Sequence, residues 1–246
     1  MDKLPRVRMR PIVHQPSLVD QVVDAIVTEI VNGDLAPHAR LIQDDLAKAY
    51  GVSRQPVQQA LLLLRNQGLV KEAPGRGLIV APLDLHLIRN LYEIREALDG
   101  LAARRAAEEG ASRARREGRP YIARGRAAVA DNKLGEQIAA DMAFHAFVND
   151  LAGNPLIGET TAQHWPVVRR VMAEVLRDGD QMPRTIWDEH EAIINAIAVG
   201  DAAAAESLAR RHIATASAIF IDRLRAQQEA TDANTERRSR LIQRPG

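Results

Sequence analysis

Four side chains in the C-terminal half of the sequence have the types and spacing to hold a metal ion. Asp141 and His145 are four residues apart, so both leave one face of a helix. His190 lies ten residues before Gly200, and His212 eleven after Asp201. An antiparallel helical hairpin turning at Gly200-Asp201 therefore puts both imidazoles at one level, with Asp201 capping the second helix. One carboxylate and three imidazoles from three helices suit zinc, nickel or a similar divalent ion, with positions left open for a carboxylate or water. The chain has no cysteine, which removes disulfides, thiolate zinc sites and thiol nucleophiles together. Two other readings fit the same residues. The Asp–His pair alone could be a helix-stabilising contact worth ~0.5 kcal/mol. A bound ion could also activate water in a metal-dependent hydrolase, although no acid or base outside the ligands stands out. His14, His38, His86 and His164 have no comparable partners.

A second set of residues suits duplex DNA. Ser53 reads as the N-cap of a helix with Pro56 in its first turn. Val57, Ala60, Leu61 and Leu64 form the inner face of that helix, and Arg54, Gln55, Gln58, Gln59 and Arg65 the outer one. In a major groove, arginine pairs with guanine and glutamine with adenine. The turn Pro74-Gly75-Arg76-Gly77 joins Leu69-Val70-Lys71 to Leu78-Ile79-Val80 as a hairpin, whose Gly75 and Arg76 can approach phosphates or the minor groove. The same polar face would also serve as an ordinary solvated surface.

The elements that position these residues fall into two parts. Residues 17–82 read as a winged helix-turn-helix: a helix from Ser17 to Asn32 with Leu18, Val22, Ile26 and Ile30 at four-residue intervals, a short helix near 43–50, the Ser53 helix and the hairpin. Residues 83–228 read as an antiparallel all-helical bundle, with helices near 84–109, 113–131, 135–152, 155–177, 183–199 and 202–227 and no strand. Residues 1–16 form a basic arm carrying Lys3, Arg6, Arg8 and Arg10, and 229–246 a polar, basic tail expected to be disordered. The fold class is thus mainly α, an N-terminal winged helix followed by a helical bundle. The 246 residues are enough for two modest domains, and 46% hydrophobic content excludes a disordered chain. No apolar run reaches the ~20 residues that cross a bilayer, so a cytoplasmic protein without a membrane partner is expected. A net charge of +1 means that DNA binding must come from a local face.

These residues resemble a known family. Leu46-Ala47, Gly51 to Val57, Ala60-Leu61, Leu64 and Gly68-Leu69-Val70 are similar to the winged helix of GntR-family transcriptional regulators. Arg95 to Asp99, Asp141 with Phe144-His145, Gly153-Asn154-Pro155, Glu189-His190, Gly200-Asp201 and His212 resemble the FCD effector domain of the FadR-type subgroup. The resemblance implies a homodimeric repressor or activator on a pseudopalindromic double-stranded operator, controlled by a small organic acid in the helical domain. It implies Asp141, His145, His190 and His212 as metal ligands and Arg95 as a clamp for the effector carboxylate, with Arg169 or Arg170 also lining the cavity. The sequence departs from the family where arginine is usual, having Asp44 and Gln58, and has Gln59 in place of the usual glutamate and Pro37-His38 in place of Pro-Gly. The basic arm could supply compensating phosphate contacts.

Overall fold

The computed structural model describes residues 16–176 and 184–242. The arm expected at Lys3 to Arg10 lies outside them. α1 (Leu18–Asn32) begins in a capping box: the Asp20 amide donates to Ser17 Oγ at 3.1 Å, and the Ser17 amide donates to Asp20 Oδ2 at 3.0 Å. Gly33, at φ 88°, ends the helix. α2 (Gln43–Tyr50) and α3 (Arg54–Asn66) follow, separated by Gly51 at φ 65°. Ser53 occupies the N-cap position of α3, but its hydroxyl makes no capping hydrogen bond.

The wing is a three-stranded antiparallel sheet in the order β1-β3-β2, with β1 Arg40–Leu41, β2 Val70–Glu72 and β3 Leu78–Val80. Ile79 pairs with Arg40 on one side and Lys71 on the other. Two-residue β1 is too short to show alternation in a sequence. It is held by its flank, where the His38 amide donates to the Val80 carbonyl at 2.9 Å and the Val80 amide to the Ala39 carbonyl at 3.0 Å. His38 adopts φ 70°, the left-handed region that glycine enters without strain.

The bundle comprises α4 (Leu85–Glu109), α5 (Ala111–Glu117), α6 (Arg119–Ala130), α7 (Leu134–Leu151), α8 (Pro155–Ala162), α9 (Trp165–Leu176), α10 (Arg184–Val199) and α11 (Ala202–Ile242). Two expected helices are each broken in two. The one at 113–131 breaks at Gly118 and the one at 155–177 at Gln163-His164, each just before a proline in a new first turn, Pro120 and Pro166. A proline there has no amide to lose, whereas inside a continuous helix its ring would strike the preceding turn. α11 runs on through residues 229–242 of the stretch expected to be a disordered tail, and residues 243–246 lie outside the described ones. That stretch is rich in Ala, Glu and Arg, strong helix formers that extend a helix already nucleated by packing.

The boundary expected between residues 82 and 83 divides the chain order but not the packing. One apolar cluster joins Ile26 and Ile30 of α1 and Leu61 of α3 to Tyr92 of α4, Val171 and Met172 of α9 and Phe220 of α11. Arg169 reinforces the junction, its guanidinium donating to Asp24 Oδ1 at 2.8 Å and Thr28 Oγ1 at 3.2 Å on α1. A second cluster fills the distal half of the bundle around Phe144, Phe147 and Trp187. There, Gly125 of α6 lies so close to the Trp187 ring that a Cβ would overlap it. Gly125→Ala should therefore destabilise the protein by ~1–3 kcal/mol in urea denaturation. Gly135→Ala, whose Cβ meets nothing within 4 Å, should leave stability unchanged or slightly raised.

Candidate metal and effector site

Asp141 and His145 project from α7, His190 from α10 and His212 from α11, and all four are buried. The three imidazoles offer nitrogens within 4.8 Å of one another. His190 Nε2 is 3.0 Å from His212 Nε2 and 3.6 Å from Asp141 Oδ1, and His145 Nε2 is 3.9 Å from that same oxygen. Tetrahedral zinc with Zn–N bonds of 2.0–2.1 Å separates its donor atoms by about 3.4 Å, a value the observed spacings bracket. The helical hairpin closes as its spacing requires: the Ala204 amide donates to Asp201 Oδ1 at 3.0 Å, and the two histidines face each other.

The outer ring nitrogens explain why the inner ones are available. His145 Nδ1 donates to Asp99 Oδ1 at 2.7 Å, and His212 Nδ1 donates to Glu189 Oε2 at 2.7 Å. Carboxylates accept only, so each pair puts the proton on Nδ1 and turns an Nε2 lone pair inward. Burial alone would raise the Asp99 pKa, but Arg95 and His145 beside it hold its carboxyl below the ordinary range. Burial, together with His212, His145 and Arg95, pushes His190 far below the usual histidine value. His190 is consequently neutral at neutral pH, as a metal ligand must be. Its ring stacks on Phe144 at 4.2 Å and meets the Trp187 edge-on at 4.7 Å, while its Nδ1 is buried without a hydrogen-bond partner. Inward lone pairs beside an Asp side chain form a donor set that fits a divalent cation.

Arg95 lies next to this cluster on α4, 5% exposed. Its Nε is 3.7 Å from Asp99 Oδ2, and its guanidinium sits 5.1 Å from the centre of the Tyr92 ring and 5.5 Å from that of Trp165. Its Nη2 is buried with no hydrogen-bond partner. The cavity bounded by Tyr92, Arg95, Met172, Ile186 and Phe220 has a volume of about 10 Å³, room for one water at most. Any larger guest has to displace the wall formed by α9, α10 and α11.

On the other part of the molecule, Ser53, Arg54, Gln55, Gln58 and Gln59 are exposed at the start of α3. The Arg54 Nε is 2.6 Å from Asp44 Oδ1 on α2. Gly75 and Arg76 are exposed at the wing tip, with Gly75 at φ 98° and Gly77 at φ 101°.

Residues 18–80 match the gntR family of bacterial regulatory proteins, and residues 90–215 match the FCD domain. A transcriptional regulator encoded in an unstable DNA locus of Streptomyces ambofaciens is 31% identical over 215 residues, covering 82% of this chain and 85% of that protein. The chain is a GntR-family transcriptional regulator with an FCD domain. LutR of Bacillus subtilis is 28% identical over 204 residues, 75% of this chain and 92% of LutR. Among solved structures, McbR/YncC of E. coli shares the fold with a TM-score of 0.72 at 21% identity, covering 84% of this chain and 98% of that one. A GntR regulator from Rhodococcus sp. RHA1 does so at 0.68 and 24% identity, covering 83% and 97%.

For this GntR regulator the hydrolase alternative drops out. Its matches are transcriptional regulators, and the carboxylates nearest the cluster, Asp99 and Glu189, are committed to imidazole Nδ1 atoms. Among the described residues no helix is long and apolar enough to cross a membrane. The four expected metal ligands come together with Arg95 beside them. Arg169 does not join them, because its guanidinium is drawn to Asp24 and Thr28 on α1. Arg170 is buried instead in a crevice with Pro82, Leu83 and Glu174, where burial lowers its pKa to about 10. Asp99 and Glu189 are the site residues that spacing missed. Asp99 had a signal, lying four residues after Arg95 on the same helical face. For Glu189 spacing gave none, since its partner His212 lies on another helix, and only the Glu189-His190 pair in the FCD resemblance marked it.

Two measurements probe the cluster. Zinc should raise the unfolding temperature of the wild-type protein, and His190→Ala or His212→Ala should abolish that rise while retaining helical circular dichroism. In chelator, stability should fall as pH drops below about 6.5, the unperturbed histidine value. The unfolded chain takes up the proton that folded His190 resists, so His190→Ala should flatten this slope.

Proposed function

We propose that the regulator binds a pseudopalindromic operator as a homodimer, and that a small organic acid held between a metal ion and Arg95 controls its DNA affinity. The observation that carries this reading is the buried convergence of His145, His190 and His212, with Asp141 3.6 Å from His190, beside the partnerless Nη2 of Arg95. A divalent ion, zinc or nickel, on those ligands supplies a Lewis-acidic position for one carboxylate oxygen. Arg95, kept charged by Asp99, supplies paired donors for the acid. Tyr92 and Trp165 fix the plane of the guanidinium.

The route to DNA runs through α9. Met172 lines the cavity, while Arg169 on the same helix grips α1 of the winged helix. A guest that displaces the Met172 wall therefore pushes on the element that seats the reading head. Dimerisation is supported by α4, where Leu87 and Ile94 stand exposed seven residues apart, 39% and 50% accessible. Such a stripe suits a second copy of the same helix. Ser53, Arg54, Gln55 and Gln58 address the major groove, and Gly75 and Arg76 the backbone beside it.

Operator binding followed by fluorescence anisotropy, with zinc present and acetate, lactate, malate and citrate as probes, tests this reading. At least one acid should shift the dissociation constant by about fivefold or more, the lower end of usual allosteric coupling. Arg95→Ala and His190→Ala should each remove the shift. Identical affinity under every condition would eliminate the sensing reading. Arg169→Ala should keep acid binding and operator binding but shrink the coupling between them. Ile94→Glu should yield a monomer in sedimentation and weaken operator binding.

A further inference from the structure

The exposed surface at the start of α3 is unusual in its chemistry. Pro56, Val57 and Ala60 are buried, and Arg54, Gln55, Gln58 and Gln59 are exposed, so the outward residues after Arg54 in the first two turns are all carboxamides. The single cation is met by an anion, since Asp44 Oδ1 lies 2.6 Å from Arg54 Nε. Asp45 beside it is exposed as well. This surface carries no net positive charge to draw phosphates, and its discrimination must come from hydrogen bonds to base edges.

We propose that each half-site contains two neighbouring A·T pairs, their adenines read by Gln55 and Gln58, next to a single G·C pair read by Arg54, and that Asp44 enforces this choice. The inference rests on the operator binding described above and specifies its sequence class. A carboxamide presents one donor and one acceptor, which match adenine N7 and N6; guanine offers two acceptors, against one of which the amide oxygen would be opposed. Positions 55 and 58 are separated by about 4.5 Å of helix rise, close to the spacing of about 3.4 Å between base pairs. Arg54 retains its two terminal amino groups when Nε is engaged, the pair that fits guanine O6 and N7. With Asp44 at its Nε, the guanidinium is held away from the phosphates it would otherwise contact without regard to sequence.

Selection of the full-length protein on a random duplex library tests the proposal. Enriched half-sites should show two adjacent A·T positions flanked by one G·C. Gln58→Arg should convert one A·T position to G·C, and Gln55→Ala should erase preference at the other. Changing a favoured A·T to G·C should weaken wild-type binding about tenfold. Asp44→Asn should raise affinity for unrelated DNA and steepen its salt dependence. Half-sites with G·C at both positions, or an unchanged selection by Gln58→Arg, would overturn the base assignment. Unaltered salt dependence in Asp44→Asn would overturn the role of Asp44. Failure of the wild-type protein to enrich any sequence would overturn the operator reading along with it.

Discussion

Burying four polar side chains in an apolar interior is the constraint from which the helical half of this protein is built. Unpaired, such groups cost several kcal/mol each in order of magnitude. The structure meets that cost by pairing the outward nitrogens of two rings with carboxylates, Asp99 for His145 and Glu189 for His212. These pairs dictate neighbours. α4 must lie along α7 to deliver Asp99, and α10 must fold back on α11 to deliver Glu189 and His190. Asp99 serves twice, since the carboxylate that orients His145 also faces Arg95. The histidine cluster and the buried arginine are thereby linked through one side chain.

That linkage gives the site a direction. Lone pairs converge on one side, an arginine stands on the other, and the space between is closed by Met172, Ile186 and Phe220. One of the residues closing it, Met172, belongs to α9, which reaches the winged helix through Arg169 and through packing against α1. Chemistry in the bundle and geometry at the DNA surface thus share a wall.

Much of this was legible in the sequence where the signal was local or symmetric. The four-residue interval of Asp141 and His145, and the ten- and eleven-residue distances of His190 and His212 from the Gly200-Asp201 turn, depend only on helix geometry, and the structure brings those residues together. The capping box at Ser17 and the left-handed glycines at 33 and 51 are equally local. What escaped depends on packing between distant segments. Glu189 acquires its role only when α11 is laid beside α10, and Arg169 points to α1 because an acidic residue 145 positions earlier waits there. The breaks at Gly118 and His164 escaped because a proline in a first turn and a proline inside a helix look alike when periodicity is read across them.

The apolar cluster that spans the junction decides what is portable in this architecture. In a beads-on-a-string arrangement a winged helix could be grafted onto another sensory bundle by cutting the connecting peptide. Here such a cut would strip α1 of its cover, Ile26 and Ile30 included, and leave the face of α9 that packs on it open to water. A working chimera has to carry α9 and the matching stretch of α11 with the reading head, so the unit available for recombination is larger than the domain that touches DNA.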